Sequence, residues 1–228
     1  QVVAAVAAPR ARKRFGQHFL TDEGVIERIV ETLALAPSDL VLEVGPGRGA
    51  LTGPLLERVS DLTAIEIDRD LAAELRVRYP KLKVIEADVL TADLEIARGR
   101  RVVGNLPYNI STPLLGRMAG FGVADMTFML QKEVVARMCA EPGTKSWGRL
   151  GVMLQYHCEV AHLFDVPASA FDPRPKVVSS MVHLAPRQTK ASVVDERCFM
   201  EVVRTAFVQR RKRLSNSLKS LSLDWSSL

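Results

Sequence analysis

Residues 40–59 read LVLEVGPGRGALTGPLLERV. LVLEV at 40–44 is short and apolar enough to be a buried strand, a glycine-rich turn follows it, and GALTGPLLERV continues as a helix. A strand that turns sharply into a helix opens a β-α-β unit, and the same alternation extends on both sides. Upstream, DEGVIERIVETLALA sets Val25, Ile29 and Leu33 four residues apart on one helical face. Downstream, LTAIEI (62–67) reads as a strand and RDLAAELRVRY as a helix, and LKVIEAD (82–88), RRVVGN (100–105) and MTFMLQ (126–131) supply further strands. Strands separated by helices imply right-handed crossovers and a mostly parallel sheet covered on both faces. The expected fold class is therefore α/β, a doubly wound, Rossmann-like sheet.

After about residue 185 the pattern changes. APRQTKAS is a polar link, and DERCFMEVVRTAFVQRRKRLSNSLKSL is helical, with Phe199, Val203 and Phe207 on one stripe. This divides the chain into a basic N-terminal arm at 1–21, an α/β domain at 22–187 and a small C-terminal helical domain at 188–228. Some thirty helical residues bury little alone, so that last unit reads as incomplete.

The chain has 228 residues, 47% of them hydrophobic, enough for a substantial core. It has no stretch of roughly twenty apolar residues that would span a membrane as a helix. The apolar VVAAVAA near the start precedes its basic residues, the reverse of a secretory leader. Cys139, Cys158 and Cys198 lie far apart and are expected as buried thiols of a reducing compartment, so the protein is expected in the cytoplasm. The four histidines have no ligand spacing, and no metal is expected. The net charge of +5 permits a polyanionic partner without requiring one. Basic residues gather at Arg10–Arg14, at Arg98, Arg100 and Arg101, and in QRRKR at 209–213, which makes a nucleic acid plausible.

Candidate site residues lie at the strand ends, where open α/β sheets bind ligands. Gly45 and Gly47 let the backbone bend and approach a ligand closely. Glu66, about twenty residues on and at the end of the second strand, can accept both hydroxyls of a ribose. Gly45, Gly47, Ala50 and Glu66 also satisfy the dinucleotide fingerprint, so a nicotinamide oxidoreductase stays open at this point. Asp88 adds an acceptor for the exocyclic amine of an adenine. Carboxylates after strands two and three suit a mononucleoside cofactor such as S-adenosylmethionine. NLPYNISTP at 105–113 places an amide, a rigid proline and an aromatic ring after an apolar run; as turn formers alone these residues would suffice, with Ser111 or Thr112 capping the next helix.

Together these blocks carry a specific resemblance. RKRFGQHFL (12–20), EVGPGRGALT, IEIDRDLA, EAD, NLPYNISTPL, FMLQKEVVARM, GRLGVMLQY, FDPRPKVVSS and FVQRRKRLSNSL are collinear with, and spaced much as in, the KsgA family of small-subunit ribosomal RNA adenine dimethyltransferases. FMLQKEV and FVQRRK resemble its bacterial type. The resemblance implies a class I S-adenosylmethionine-dependent methyltransferase. It implies that the segment before the first strand folds over the cofactor, with His18 and Leu20 touching it. Gly45 and Gly47 then flank its methionine part, Glu66 holds the ribose and Asp88 the adenine, with Asn105 adjoining. Two stretches depart from the family: the chain is a few residues short between Asp88 and Asn105, and the helical domain normally continues beyond Leu221.

The chemistry expected of 105–108 follows. The lone pair of an adenine N6 amine is delocalised into the ring, so acceptors must draw the amine toward a pyramidal shape. The Asn105 side-chain oxygen and a carbonyl of Leu106 or Pro107 would do this, with Pro107 stiffening the turn. Tyr108 would stack on the target base and Phe171, from FDPRPKVVSS, would cover its other face. Phe171 also has a plain reading as a core plug beside a proline turn.

The resemblance implies a substrate of two adjacent adenines near the 3′ end of 16S ribosomal RNA, in an immature 30S particle. Arg12, Lys13, Arg14, Arg210, Arg211 and Lys212, together with the RGRR cluster, would grip phosphates. A monomer is expected. The rival readings are a large-subunit (23S) adenine methylase of the macrolide-resistance type and a non-catalytic RNA-binding assembly factor.

Overall fold

The computed structural model describes residues 17–107, 109–189, 191–209 and 212–221. Arg12, Lys13, Arg14, Tyr108, Arg210 and Arg211 lie outside the described residues.

Seven strands form one sheet in the order β4-β3-β2-β5-β6-β9-β7: β2 Leu40–Val44, β3 Asp61–Glu66, β4 Lys83–Glu86, β5 Arg101–Asn105, β6 Asp125–Gln131, β7 Cys158–Val166 and β9 Ser179–Pro186. The strands β4, β3, β2, β5 and β6 run parallel; α1 (Glu23–Thr32) precedes β2, and α2 (Thr52–Leu56), α3 (Arg69–Arg78) and α4 (Ser111–Met118) form crossovers, the helices packing on the two faces. The central strands are apolar almost throughout because both faces are covered. Leu42, Val44, Ile65 and Val102 pack with Leu114, Leu115 and Met118 on one side, while Val41, Ala64 and Val103 pack with Ile29, Val30 and Leu55 on the other. A separate two-stranded ribbon pairs β1 (Phe19–Leu20) with β8 (Phe171–Asp172) in antiparallel fashion, Leu20 opposite Phe171.

The sheet is doubly wound, with differences in detail. β9 runs antiparallel to β6 and to β7, so the last third of the sheet is a hairpin-like addition. β7 alternates buried and exposed residues as an edge strand does, a weaker signal than the apolar runs elsewhere. The C-terminal helical run is divided into α7 (Glu196–Ala206) and a short α8 (Leu214–Ser217). α7 meets α6 (Arg149–His157) through Tyr156, which packs on Phe199 with ring centroids 4.7 Å apart and donates its hydroxyl to Glu196. Of the expected stripe, Val203 is buried, whereas Phe199 and Phe207 are half-buried.

Three local expectations are corrected. Ile110, not Ser111 or Thr112, occupies the cap position of α4, with no side-chain capping bond; Ser111 is already in the helix and buried. Cys158 is buried, but Cys139 is half-buried and Cys198 exposed. Within the RGRR cluster, Arg100 and Arg101 are committed to the protein itself, whereas Arg98 stays exposed in a surface pair. Arg101 bridges Asp39 and Asp125 at 2.9 Å each, Arg100 pairs with Asp61 at 2.7 Å and Arg98 with Glu95 at 2.7 Å. Arg100 and Arg101 sit where β5 begins, the edge of the sheet opposite the strand ends that carry Glu66 and Asn105. They neutralise carboxylates of their own chain there.

Candidate active site

At the carboxyl ends of β2, β3 and β5, a cavity of about 280 Å³ opens where the chain order reverses about β2. It is bordered by His18, Leu20, Gly45, Gly47, Glu66, Asp88, Asn105, Leu106, Pro107 and Phe171, and also by Glu43. The expected site residues that lie among the described ones, phosphate-contact candidates aside, thus border one space.

The glycine turn is tight: Gly45 and Gly47 have φ of 65° and 58°, and a Cβ on Gly47 would come within 3.2 Å of the Phe19 ring. This turn is tied to β3 by Glu66, whose carboxylate accepts from the backbone N–H groups of Gly47 (3.0 Å) and Asp68 (2.9 Å). Burial pushes the Glu66 carboxyl above its usual range, and these N–H donors partly offset that. Asp88 lies two residues past the end of β4, which stops at Glu86, rather than in the strand. Its Oδ1 accepts from Leu90 N–H and its carbonyl from Thr91 and Ala92 N–H, which fixes the side chain at the cavity rim.

The strap at 17–21 closes one side. Thr21 donates its N–H and hydroxyl to the Ala170 carbonyl, and His18 Nδ1 donates to the Pro173 carbonyl at 2.7 Å. The Arg48 guanidinium lies 4.3 Å over the Phe19 ring. Asn105 joins strap to sheet, its Nδ2 donating to the His18 carbonyl at 3.1 Å. Because that bond occupies the NH₂ end, the amide is oriented and its oxygen is the end left to accept. Leu106 is pinned by its N–H on the Met129 carbonyl, while the Pro107 carbonyl accepts from Ile110 N–H. Phe171 is 5% exposed, packed in the core cluster with Leu20 and Met181, and also borders the cavity. Lys212 is exposed.

Three residues that position the site were not singled out from sequence. A Cβ on Gly104 would lie 2.5 Å from the Val44 carbonyl, so only glycine lets β5 approach β2 this closely. Arg117 of α4 donates to the Val89 and Ala92 carbonyls and holds the loop that carries Asp88. Glu43 is 2% exposed and accepts from Thr52 Oγ1 at 2.7 Å; burial first, and the Glu66 charge as well, push its carboxyl up to about 7 against the opposing Thr52 bond. A single carboxylate within LVLEV was the visible signal for it.

Glu43 makes stability depend on pH. Its folded value lies above the unfolded one of about 4.3, so its contribution is present in acid and is lost as pH rises through about 7. Between pH 5.5 and 8 the wild type is expected to lose about 2 kcal/mol that Glu43→Gln does not lose, measured by denaturant unfolding at both pH values. Parallel pH profiles would contradict the assignment.

Among the described residues, no group of three or more His, Cys, Asp or Glu is placed to hold a metal ion, and no helix is long and apolar enough to cross a membrane.

The chain is similar to known proteins over most of its length. The family model described as ribosomal RNA adenine dimethylase matches residues 8–224. Ribosomal RNA small subunit methyltransferase A of Bordetella pertussis is 52% identical over 98% of this chain and 85% of its own length. Its namesake in Chromohalobacter salexigens is 52% identical over 97% and 84%. Among solved structures, a dimethyladenosine transferase from Plasmodium falciparum superposes with a TM-score of 0.78 at 30% identity, covering 89% of this chain and 75% of that one. The 23S rRNA methyltransferase ErmE gives 0.74 at 31% identity, covering 89% and 84%. With the family model matching residues 8–224 and relatives 52% identical over nearly the whole chain, the protein belongs to the ribosomal RNA adenine dimethylase family.

Proposed function

We propose that this protein is an enzyme that transfers methyl groups from S-adenosylmethionine to N6 of two adjacent adenines near the 3′ end of small-subunit ribosomal RNA, giving N6,N6-dimethyladenosine. The observation that carries the reading is the oriented Asn105 amide, which borders the same cavity as Gly45, Gly47, Glu66 and Asp88. The small-subunit assignment rests on the relatives at 52% identity, against 31% for the 23S enzyme.

The residues present fit the cofactor. Backbone at Gly45 is open, since a Cβ there would meet nothing nearer than 4.0 Å. Glu66 and Asp88 offer acceptors at two separate points of the cavity for ribose hydroxyls and an adenine amine. When bound, the cofactor supplies an electrophilic methyl group on a sulfonium.

The protein's part is to shape and place the nucleophile. Asn105 Oδ1 accepts one N6 hydrogen. The Leu106 carbonyl is assigned the other, because the Pro107 carbonyl already accepts from Ile110. In the first transfer both hydrogens are drawn to one side and the nitrogen lone pair is freed from the ring and aimed at the methyl carbon; in the second, one of the two acceptors holds the single hydrogen that remains, and in both positioning supplies most of the rate. No general base is needed, since a methylated aryl-ammonium loses its proton to water. Tyr108 and Phe171 hold the faces of a base that has left its stack. Arg12, Lys13, Arg14, Arg210, Arg211 and Lys212 hold phosphates, so RNA binding weakens steeply with salt. This reading includes the division into an arm and strap (1–21), a methyltransferase domain (22–187) and a helical domain (188–228). It also includes a cytoplasmic monomer acting on an immature 30S particle.

Methyl transfer to small subunits lacking the modification, followed by nucleoside analysis, tests the proposal. Dimethyladenosine in the small-subunit RNA is expected. Modification of large subunits alone would favour the 23S type, and no transfer to either would favour an assembly factor. Phe171→Ala is expected to lower RNA turnover at least about tenfold with cofactor affinity nearly intact; equal loss of both would assign Phe171 to the core.

A further inference from the structure

Glu43 is the one acidic residue of β2, and the mechanism above leaves it unused. In the parallel register Glu43 lies beside Ala64 of β3 and Val103 of β5, so the three share a face of the sheet. Two residues further along each chain come Gly45, Glu66 and Asn105. Glu43 thus sits one row, roughly 6.5 Å, inside the row that holds those three. The position above it is a glycine, so no side chain closes the space between Glu66 and Asn105. Glu43 accordingly borders the cavity although it is almost wholly buried, and among the described residues Thr52 is its one hydrogen-bond donor.

The connectivity of the methyl donor says what occupies that space. Its sulfur is one carbon away from the ribose, which the proposed function places at Glu66, and its methyl would be directed at the amine held by Asn105. On that reading the positive sulfur would lie between Glu66 and Asn105, over Glu43. Resting on that reading, we propose that Glu43 is a specificity-determining residue that separates the sulfonium donor from its thioether by-product by charge. Glu43 gives up its carboxyl proton to solvent when a cation enters above it, and stays protonated beneath a neutral sulfur.

The surroundings support a carboxyl poised between the two states. Among the described residues, the other titratable groups bordering the cavity are Glu66 from β3, Asp88 beyond β4, Arg48 from the glycine turn and His18 from the strap; beside Glu43, α2 presents Thr52 and β5 presents Val103, which do not titrate. Burial and the neighbouring Glu66 carboxylate favour the neutral acid, with the carboxyl pushed up to about 7. A cation brought close to this buried carboxyl favours the carboxylate.

Calorimetric titration in buffers of different ionisation enthalpy counts the protons released. At pH 6.5 the Glu43 carboxyl is mostly protonated and the α-amino group of either ligand is charged. S-adenosylmethionine should then release roughly 0.7 proton per site more than S-adenosylhomocysteine. In Glu43→Gln this difference should vanish, and the preference for the sulfonium ligand should fall about tenfold. Thr52→Val, which removes the donor that stabilises the carboxylate, should shift the release to higher pH and provides a second variant if the first does not fold. Equal proton release by the two ligands in the wild type, or a difference that survives in Glu43→Gln, would overturn the inference. Failure of either ligand to bind would instead overturn the methyl-donor reading beneath it.

Discussion

Replacing Asn105 with alanine is expected to lower the single-turnover rate of methyl transfer by about 10²–10³-fold at saturating cofactor, the loss found when one preorganised polar group is removed from a reacting centre. Alanine cannot accept the N6 hydrogen, so the amine stays planar and its lone pair stays in the ring. The same change deletes the bond from Nδ2 to the His18 carbonyl. The strap keeps its other ties, from Thr21 to Ala170 and from His18 to Pro173. Cofactor affinity should therefore fall by less than about tenfold, the worth of one such bond. Rapid-quench kinetics and calorimetry on one preparation separate the two effects. Near-normal turnover would refute the role of the amide.

Gly104→Ala should cost both stability and the site. The added Cβ would lie 2.5 Å from the Val44 carbonyl, a backbone atom of the neighbouring strand that cannot rotate away. β5 lies between β2 and β6, so the strands must spread at the end where Gly45 and Asn105 sit. Overpacking of this kind costs about 3 kcal/mol, which lowers Tm by roughly 6–12 °C in a chain of this size. Cofactor binding should weaken in parallel, because the glycine turn and Asn105 move apart. Gly116→Ala is the matched control: a Cβ there has nothing within 4 Å, and the residue lies within α4, so stability should be unchanged or slightly raised. Equal melting temperatures for the two variants would show that strand approach at Gly104 is not limiting.

The parallel half of the sheet was legible because LVLEV, LTAIEI and the VVG centre of RRVVGN form short, mostly apolar runs covered on both faces. The antiparallel half was not. β7 is an edge strand with alternating exposure, and β9 begins with the polar Ser179 and Ser180, buried by Gln131 and Leu130 of β6 rather than by their own chemistry. The ribbon of Phe19–Leu20 with Phe171–Asp172 joins segments about 150 residues apart, and no local pattern announces such a pairing. In the site, Gly45, Gly47, Glu66 and Asp88 stood out because glycine turns and strand-end carboxylates follow from backbone geometry. The roles of Asn105, Leu20 and Phe171 came from family resemblance. Gly104 was hidden because its reason is the distance to another strand's carbonyl. The RGRR cluster misled because a run of arginines looks alike whether it faces phosphates or, as Arg101 does, two carboxylates of its own chain.

The account stands on Asn105 and Leu106 receiving the two hydrogens of an adenine amine. A crystal structure of the protein with adenosine and an unreactive, positively charged cofactor analogue measures this directly. N6 should lie within about 3.2 Å of both Asn105 Oδ1 and the Leu106 carbonyl, with its lone pair toward the analogue. An adenine amine seated elsewhere in the cavity, or the Asn105 NH₂ end facing it, would contradict the mechanism.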